Sequence, residues 1–156
     1  LRSGRDPAIR YQVHGSATLL AGLRQRGITC YLASGTDQEF VADEVRLLNL
    51  VDYFDGGVFG ARDDYKSFSK KKLIEQILHD SRLQGPELVV FGDGYVEIEN
   101  GKQAGGLAVG AATAESDAGG WDLWKKNRLL EVGADLLVPD WQEADLLLAY
   151  LFAEEL

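Results

Sequence analysis

The sequence has very little cysteine and no long apolar run, and both shortages limit where the chain can work. Cys30 is the only cysteine among 156 residues, so no disulfide can form within the chain. It lies in the apolar run ITCYLA, which predicts a buried thiol. With no recognisable signal peptide, this indicates a cytoplasmic protein. No apolar run approaches the roughly 20 residues that a membrane-spanning helix needs, so no membrane partner is expected.

Positive charge is also scarce. Lysine and arginine number 16 against 25 aspartates and glutamates, which gives a net charge of −9 at pH 7. A chain without a basic stripe cannot neutralise many phosphates, which argues against nucleic acid as a main partner. A small phosphorylated substrate is still compatible, because a metal ion and one or two lysines can reverse the field locally.

The composition provides enough apolar residues for a core. Hydrophobic residues make up 46% and charged residues 26% of the chain, as in a soluble globular protein of one ordinary domain. Residues 1–15 have no clear period, which predicts a linker or the end of a preceding segment. Residues 16–156 show no repeat and no further boundary, so they are predicted to form one core domain.

Helix and strand patterns alternate along that domain. Apolar spacing predicts helices over 16–26, 37–50, 70–81, 127–132 and 141–152, and strands over 28–33, 57–59, 88–91, 107–111 and 134–138, with a turn of helix after the strand 88–91. Candidate caps of these helices are Ser16, Thr36 with Glu39, Ser69, and Asp140 with Glu143. The alternation predicts an α/β fold with a parallel sheet covered by helices on both faces.

The segment ELVVFGDGYVEIENGKQAGG is the most informative stretch. Its apolar run predicts a buried strand, and Gly-Asp-Gly stands at the carboxyl end, where ligands bind in open α/β sheets. Asp93 and Glu97 supply the oxygen ligands that magnesium prefers, and the flanking glycines would let a ligand approach. Asp93 could instead cap the following helix.

Two other polar groups are predicted at strand or helix ends. Ser34, Gly35 and Thr36 follow the strand 28–33 and precede a helix, where free amides and the helix dipole favour an anion such as phosphate. Both hydroxyl residues could equally be helix caps. Lys70 begins a helix, which the dipole disfavours, so balancing the charge of a phosphate and a carboxylate is one reason for its presence; a solvated lysine is the alternative.

Three of these segments, taken in order, resemble a known family. LASGT, SKKKLI and VVFGDGYVEIENGKQAGG are similar to motifs II, III and IV of the haloacid dehalogenase-like (HAD) hydrolases of the phosphatase type, over roughly residues 15–156. The resemblance implies a three-layer Rossmann-like core in which residues 1–15 are the end of a missing cap. Ser34 would bind phosphoryl oxygens, Lys70 would stabilise negative charge, and Lys71 and Lys72 compete for that role.

The resemblance also implies a magnesium ion. Asp93 would ligate Mg²⁺, and Glu97 would ligate it through water or orient Asp93. The reaction implied is hydrolysis of a small phosphomonoester, for example a sugar phosphate, through an aspartyl-phosphate.

The sequence departs from the family at motif I. No Asp-x-Asp occurs anywhere in the chain, although that motif supplies the nucleophile and the general acid/base. We therefore expect the nucleophilic aspartate to come from a segment before Leu1. The alternatives are a catalytically inactive HAD-like binding or regulatory module and an unrelated doubly wound domain. Trp121 and Trp124, in the predicted loop before residue 127, are packing residues or cover a site.

Overall fold

A computed structural model describes residues 7–61, 69–115 and 119–155 of the chain. They form two compact units. The first takes in the described residues up to Ala61 together with those from Trp141 onward, and the second takes in the described residues from Ser69 to Asp140. The single core domain over 16–156 stays a prediction. No described helix is both long and apolar enough to cross a membrane.

The first unit holds two strands and three α-helices. Its elements are α1 (Ser16–Gln25), β1 (Tyr31–Asp37), α2 (Gln38–Leu47), β2 (Gly57–Ala61) and α6 (Ala144–Leu151), with short 3₁₀ helices at Ala8–Tyr11 and Val51–Tyr53. The strands β1 and β2 pair in parallel, with Tyr31 opposite Gly57 and Ala33 opposite Phe59.

The second unit holds three strands and three α-helices. Its elements are α3 (Lys70–Ser81), β3 (Val89–Gly92), α4 (Tyr95–Gln103), β4 (Leu107–Ala111), α5 (Leu123–Glu131) and β5 (Leu136–Val138), with a 3₁₀ helix at Gly85–Glu87. The strand order is β3-β4-β5 and both pairings are parallel. The predicted α/β fold with parallel strands flanked by helices is therefore confirmed.

Each unit has its own buried side chains. In the second, Ile98 of α4, Ala108 of β4 and Leu129 of α5 are almost fully buried in one cluster. In the first, α1 packs on α6, and the buried side chains include Leu19, Leu23, Leu147 and Leu148. A Cβ on Gly22 would lie 2.3 Å from Leu148 Cδ1, so glycine lets these two helices approach closely. Arg26 and Glu154 form an ion pair just past their carboxyl ends.

The structure corrects the end of β1. This strand runs over Tyr31–Asp37 rather than 28–33, because its pairing with β2 continues to Asp37 opposite Ala61 after a register shift. Thr36 is consequently part of a strand, and the residue before α2 is Asp37, without a side-chain cap. The predicted capping box of Thr36 and Glu39 is wrong.

Two further predicted caps are wrong. Ser16 is the first residue of α1, after Gly15, and its hydroxyl donates to the Val13 carbonyl instead. The helix α6 begins at Ala144, after Glu143, rather than at residue 141, so Asp140 is not its N-cap. The cap predicted at Ser69 is confirmed, since its hydroxyl accepts the Lys72 N–H.

Smaller differences concern α4, α5 and the thiol. α4 has nine residues rather than a single turn, and α5 begins at Leu123 rather than at residue 127. Asp122 sets that earlier start, because its carboxylate accepts the N–H groups of Trp124 and Lys125. Cys30 is half-buried rather than buried, and this partial burial raises the pKa of its thiol.

Candidate active site

Asp93 stands immediately after β3, at the carboxyl end of the strand. Its side chain is 68% exposed, and its described ion-pair contact is Lys125 Nζ at 3.7 Å. It does not cap α4. The residue before that helix is Gly94, whose N–H donates to Glu97 Oε1 at 3.1 Å. A carboxylate released from capping in this way is available to a ligand.

Glu97 folds back over the Gly-Asp-Gly turn. Its Oε1 accepts the Gly94 N–H, and its Oε2 accepts Lys70 Nζ at 2.9 Å. A Cβ on Gly92 would lie 2.3 Å from Glu97 Cγ, and a Cβ on Gly94 would lie 2.9 Å from its Oε1. The two glycines are therefore needed to make room for Glu97, whereas the sequence suggested that they make room for a ligand.

Lys70 is brought to Glu97 by the start of α3. The side chains of Lys70 and Glu97 are 22% and 17% exposed, so both are largely shielded from solvent. This pairing offsets the unfavourable position of a lysine at a helix amino end. Lys71 and Lys72 are exposed.

The charge of Glu97 is maintained by its partners. Burial alone would raise the pKa of this carboxyl, but the hydrogen bond and charge of Lys70 and the backbone N–H of Gly94 outweigh burial. The net result is a pKa below the usual glutamate value. Glu97 is therefore ionised at neutral pH, and it holds the turn that carries Asp93.

Lys125 is a further residue beside Asp93 that the sequence did not single out. Its side chain is 18% exposed, and its ammonium group pairs with Glu115 at 3.2 Å and donates to the Thr113 carbonyl at 3.5 Å. The available signal was Asp122, because a capping residue at that position places Lys125 in the first turn of α5 rather than in a loop.

Ser34, Gly35 and Thr36 lie near the carboxyl end of β1, just before its last residue, in the first unit. Thr36 donates its N–H to Ser34 Oγ at 3.1 Å. The Thr36 amide, predicted to be free for an anion, is therefore engaged locally. Gly35 is open, since a Cβ added there would meet nothing within 4 Å. That these residues share one site with Lys70, Asp93 and Glu97 stays a prediction.

For a magnesium ion, the turn after β3 offers the exposed carboxylate of Asp93. Among residues 7–61, 69–115 and 119–155, no group of three or more His, Cys, Asp or Glu side chains could hold a metal. Mg²⁺ commonly uses one or two carboxylates and keeps several waters and phosphate oxygens, so the exposed Asp93 fits this pattern. Both Glu97 oxygens are engaged, and this favours the predicted orienting role of Glu97 over direct ligation.

Comparison with known proteins identifies the family. A model of the haloacid dehalogenase-like hydrolases matches residues 8–105, which include the motif residues from Ser34 to Glu97. A candidate β-phosphoglucomutase from Thermotoga maritima is 26% identical, with a TM-score of 0.68 over 88% of this chain and 59% of that chain. No curated protein matches the sequence.

Two further solved structures share the fold. A HAD family hydrolase from Deinococcus radiodurans with bound phosphate and sodium is 16% identical, with a TM-score of 0.71 over 90% of this chain and 60% of that one. A haloacid dehalogenase-like protein from Agrobacterium tumefaciens is 18% identical, with a TM-score of 0.70 over 91% and 61%. The chain thus spans about three fifths of the length of these structures. On the family match and the shared fold, it belongs to the haloacid dehalogenase-like hydrolases.

Proposed function

We propose that this chain forms the core of a cytoplasmic, magnesium-dependent phosphohydrolase that acts on a small phosphomonoester, for example a sugar phosphate. The observation that carries this proposal is the turn after β3. There, the exposed Asp93 stands in a turn that Glu97 holds through the Gly94 N–H, and Lys70 balances the charge of Glu97. The proposal involves neither nucleic acid nor a membrane as partner.

In this mechanism each residue of the chain has a separate task. Asp93 would hold Mg²⁺, which when bound supplies Lewis-acid stabilisation of phosphoryl oxygen charge. Glu97 keeps the turn in place, and Lys70 supplies positive charge toward the phosphoryl group. Ser34, with the open backbone at Gly35 and the neighbouring Thr36, whose N–H donates to Ser34 Oγ, would bind phosphoryl oxygens.

The covalent step needs an aspartate that these 156 residues do not offer in an Asp-x-Asp motif. The proposal takes it from a segment before Leu1. Its carboxylate attacks phosphorus, the P–O bond to the alcohol breaks, and the alcohol leaves with a proton from a general acid. Water then hydrolyses the aspartyl-phosphate, which releases inorganic phosphate and restores the carboxylate.

The second candidate is a catalytically inactive HAD-like binding or regulatory module. The absence of Asp-x-Asp favours it. Both candidates would bind phosphate compounds, but only the enzyme would hydrolyse them.

The test is hydrolysis of p-nitrophenyl phosphate by the full-length protein, with Mg²⁺ and with EDTA. The enzyme predicts turnover that EDTA abolishes and that Asp93→Asn and Lys70→Ala each remove, while the adjacent exposed Lys71→Ala retains it. Binding of vanadate without turnover would instead support the inactive module. Activity that survives in Asp93→Asn would refute the assignment of this turn.

A further inference from the structure

A small cavity adjoins Asp93 within the second unit. Its volume is about 170 Å³, and its lining includes Asp93, Tyr95, Trp124, Lys125 and Arg128. Three of these residues also line a wider cleft of about 590 Å³. The carboxylate proposed to serve the reaction therefore shares a cavity with two cations and two aromatic rings.

Arg128 is held in an unusual way. Its guanidinium carbon lies 4.5 Å from the ring centroid of Tyr95 and 4.9 Å from that of Trp124, so that it contacts two aromatic rings. Stacking of this kind fixes the plane of the guanidinium and leaves its N–H donors at the edge. Arg128 forms no ion pair or hydrogen bond through its guanidinium with the part of the chain that the structure describes.

Arg128 has no ion pair with the part of the chain that the structure describes, although carboxylates are plentiful in this protein. Acidic residues outnumber basic ones by 25 to 16, and the neighbouring Lys125 already contacts both Asp93 and Glu115. The rings beside Arg128 are open as well, since Tyr95 is 44% and Trp124 66% exposed. A stack that served only packing would be expected to cover these rings, because burial of aromatic surface is where its stability would come from.

We propose that Tyr95, Trp124 and Arg128, called here the Arg128 site, bind a second anionic group of the substrate. This inference rests on the proposed function, which it narrows. The substrate is a phosphomonoester that carries a carboxylate or a second phosphate, rather than a sugar phosphate without a second anionic group. A planar fork of N–H donors matches the two oxygens of either group.

The experiment measures ligand binding to the full-length protein through tryptophan fluorescence, because Trp124 stacks on Arg128. The matched probes are 3-phosphoglycerate and glycerol 3-phosphate, which share a phosphate and three carbons and differ in a carboxylate. We expect the carboxylate compound to bind about 10- to 100-fold tighter, as charged hydrogen bonds imply. Fructose 1,6-bisphosphate against fructose 6-phosphate tests a second phosphate in place of the carboxylate.

Arg128→Gln should abolish the preference and leave the affinity for glycerol 3-phosphate unchanged. Lys126→Gln is the matched control. Lys126 lies on the same helix and stacks on Trp121 at 4.7 Å, but it lines neither cavity described above. If Arg128→Gln fails to fold, Arg128→Lys takes its place. It keeps the positive charge and loses the planar fork of N–H donors, so its preference for the carboxylate compound should be intermediate.

Malonate, a dicarboxylate without phosphate, separates this inference from the proposed function. Quenching by malonate that depends on Arg128, without binding of any phosphate compound, would retain the Arg128 site and refute the phosphohydrolase. Equal binding of 3-phosphoglycerate and glycerol 3-phosphate by the unmodified protein would overturn the Arg128 site. So would equal losses in Arg128→Gln and Lys126→Gln.

Discussion

Two lysine–carboxylate pairs of the second unit are similar as ion pairs and differ in where they lie along the strands. Lys70 and Glu97 are 2.9 Å apart, and Lys102 and Asp135 are 2.8 Å apart. Neither pair is more than about a third exposed.

The environments of these pairs assign them different tasks. Glu97 also accepts the Gly94 N–H, at the carboxyl end of β3. Asp135 also accepts the Ala108 N–H, near the amino end of β4. Ligands bind at the carboxyl ends of parallel strands, so similar ion-pair chemistry should support activity in one place and stability alone in the other.

The largest effect should be on turnover. Lys70→Met should lower phosphatase activity by about 10²- to 10³-fold, the usual cost of removing one group that stabilises developing charge. Lys102→Met should leave activity unchanged, because its partner Asp135 is at the other end of the strands. Both are checked by p-nitrophenyl phosphate hydrolysis in Mg²⁺. Equal losses in the two variants would remove the distinction between the pairs.

Space around Glu97 should matter next. Gly92→Ala places a Cβ 2.3 Å from Glu97 Cγ, and overpacking of this kind costs about 1–3 kcal/mol. Gly35→Ala meets no neighbouring atom, so its free energy of unfolding should stay within about 0.5 kcal/mol of the unmodified protein. Urea unfolding measures both. A Gly92→Ala variant as stable as Gly35→Ala would show that Glu97 moves aside easily.

A smaller effect should separate stability from activity at the other pair. Asp135→Asn weakens the contacts with Lys102 and Ala108, which should cost about 1 kcal/mol after allowance for partial exposure. Its turnover should be normal. Glu97→Gln, the matched change at the turn, should reduce turnover. Thermal unfolding and phosphatase assays on both proteins test this, and reduced turnover in Asp135→Asn would contradict the assignment.

The smallest effect should appear in acid. For both Glu97 and Asp135, burial raises the pKa. The partner lysine and a backbone N–H lower it by more than burial raises it, so the net shift is downward. A lowered folded-state pKa stabilises the protein above the unfolded value of about 4 and loses that contribution as the pH falls through the folded value.

The melting temperature should therefore fall below about pH 4. In Lys70→Met and Lys102→Met the paired carboxyl loses the cation that lowers its folded-state pKa, so the fall in acid should be smaller than in the unmodified protein. Melting curves between pH 7 and pH 3 measure this. Identical acid profiles for all three proteins would show that neither pair is linked to acid stability.

Local patterns in the sequence predicted the elements whose ends are determined by nearby residues. The range 70–81 of α3, with Ser69 as its cap, and the range 107–111 of β4 agree with the structure. The end of β1 was wrong because it depends on pairing with β2, and strand pairing across a crossover is not a local property. Thr36 and Glu39 matched a capping box, but the pairing of β1 with β2 continues to Asp37 and keeps Thr36 within the strand.

The candidate site shows the same limit. The sequence supplied Lys70, Asp93 and Glu97 from their motifs, but not the back-folding of Glu97 that the two glycines permit. Arg128 lies in the helix predicted over 127–132, but its stacking partner Trp124 was assigned to the preceding loop, whereas Asp122 starts α5 earlier. Tyr95 then meets Arg128 only through the packing of two helices, which no spacing within one segment reveals.

The packing of α6 on α1 has a consequence for synthesis. The second unit is one continuous stretch of chain, so it can fold as soon as it leaves the ribosome. The first unit includes Leu147 and Leu148, which follow the whole of the second unit in the sequence. Its early helix must therefore wait, with Leu19 and Leu23 uncovered, until the second unit and then α6 have been translated. During that interval α1 is the segment most in need of a chaperone.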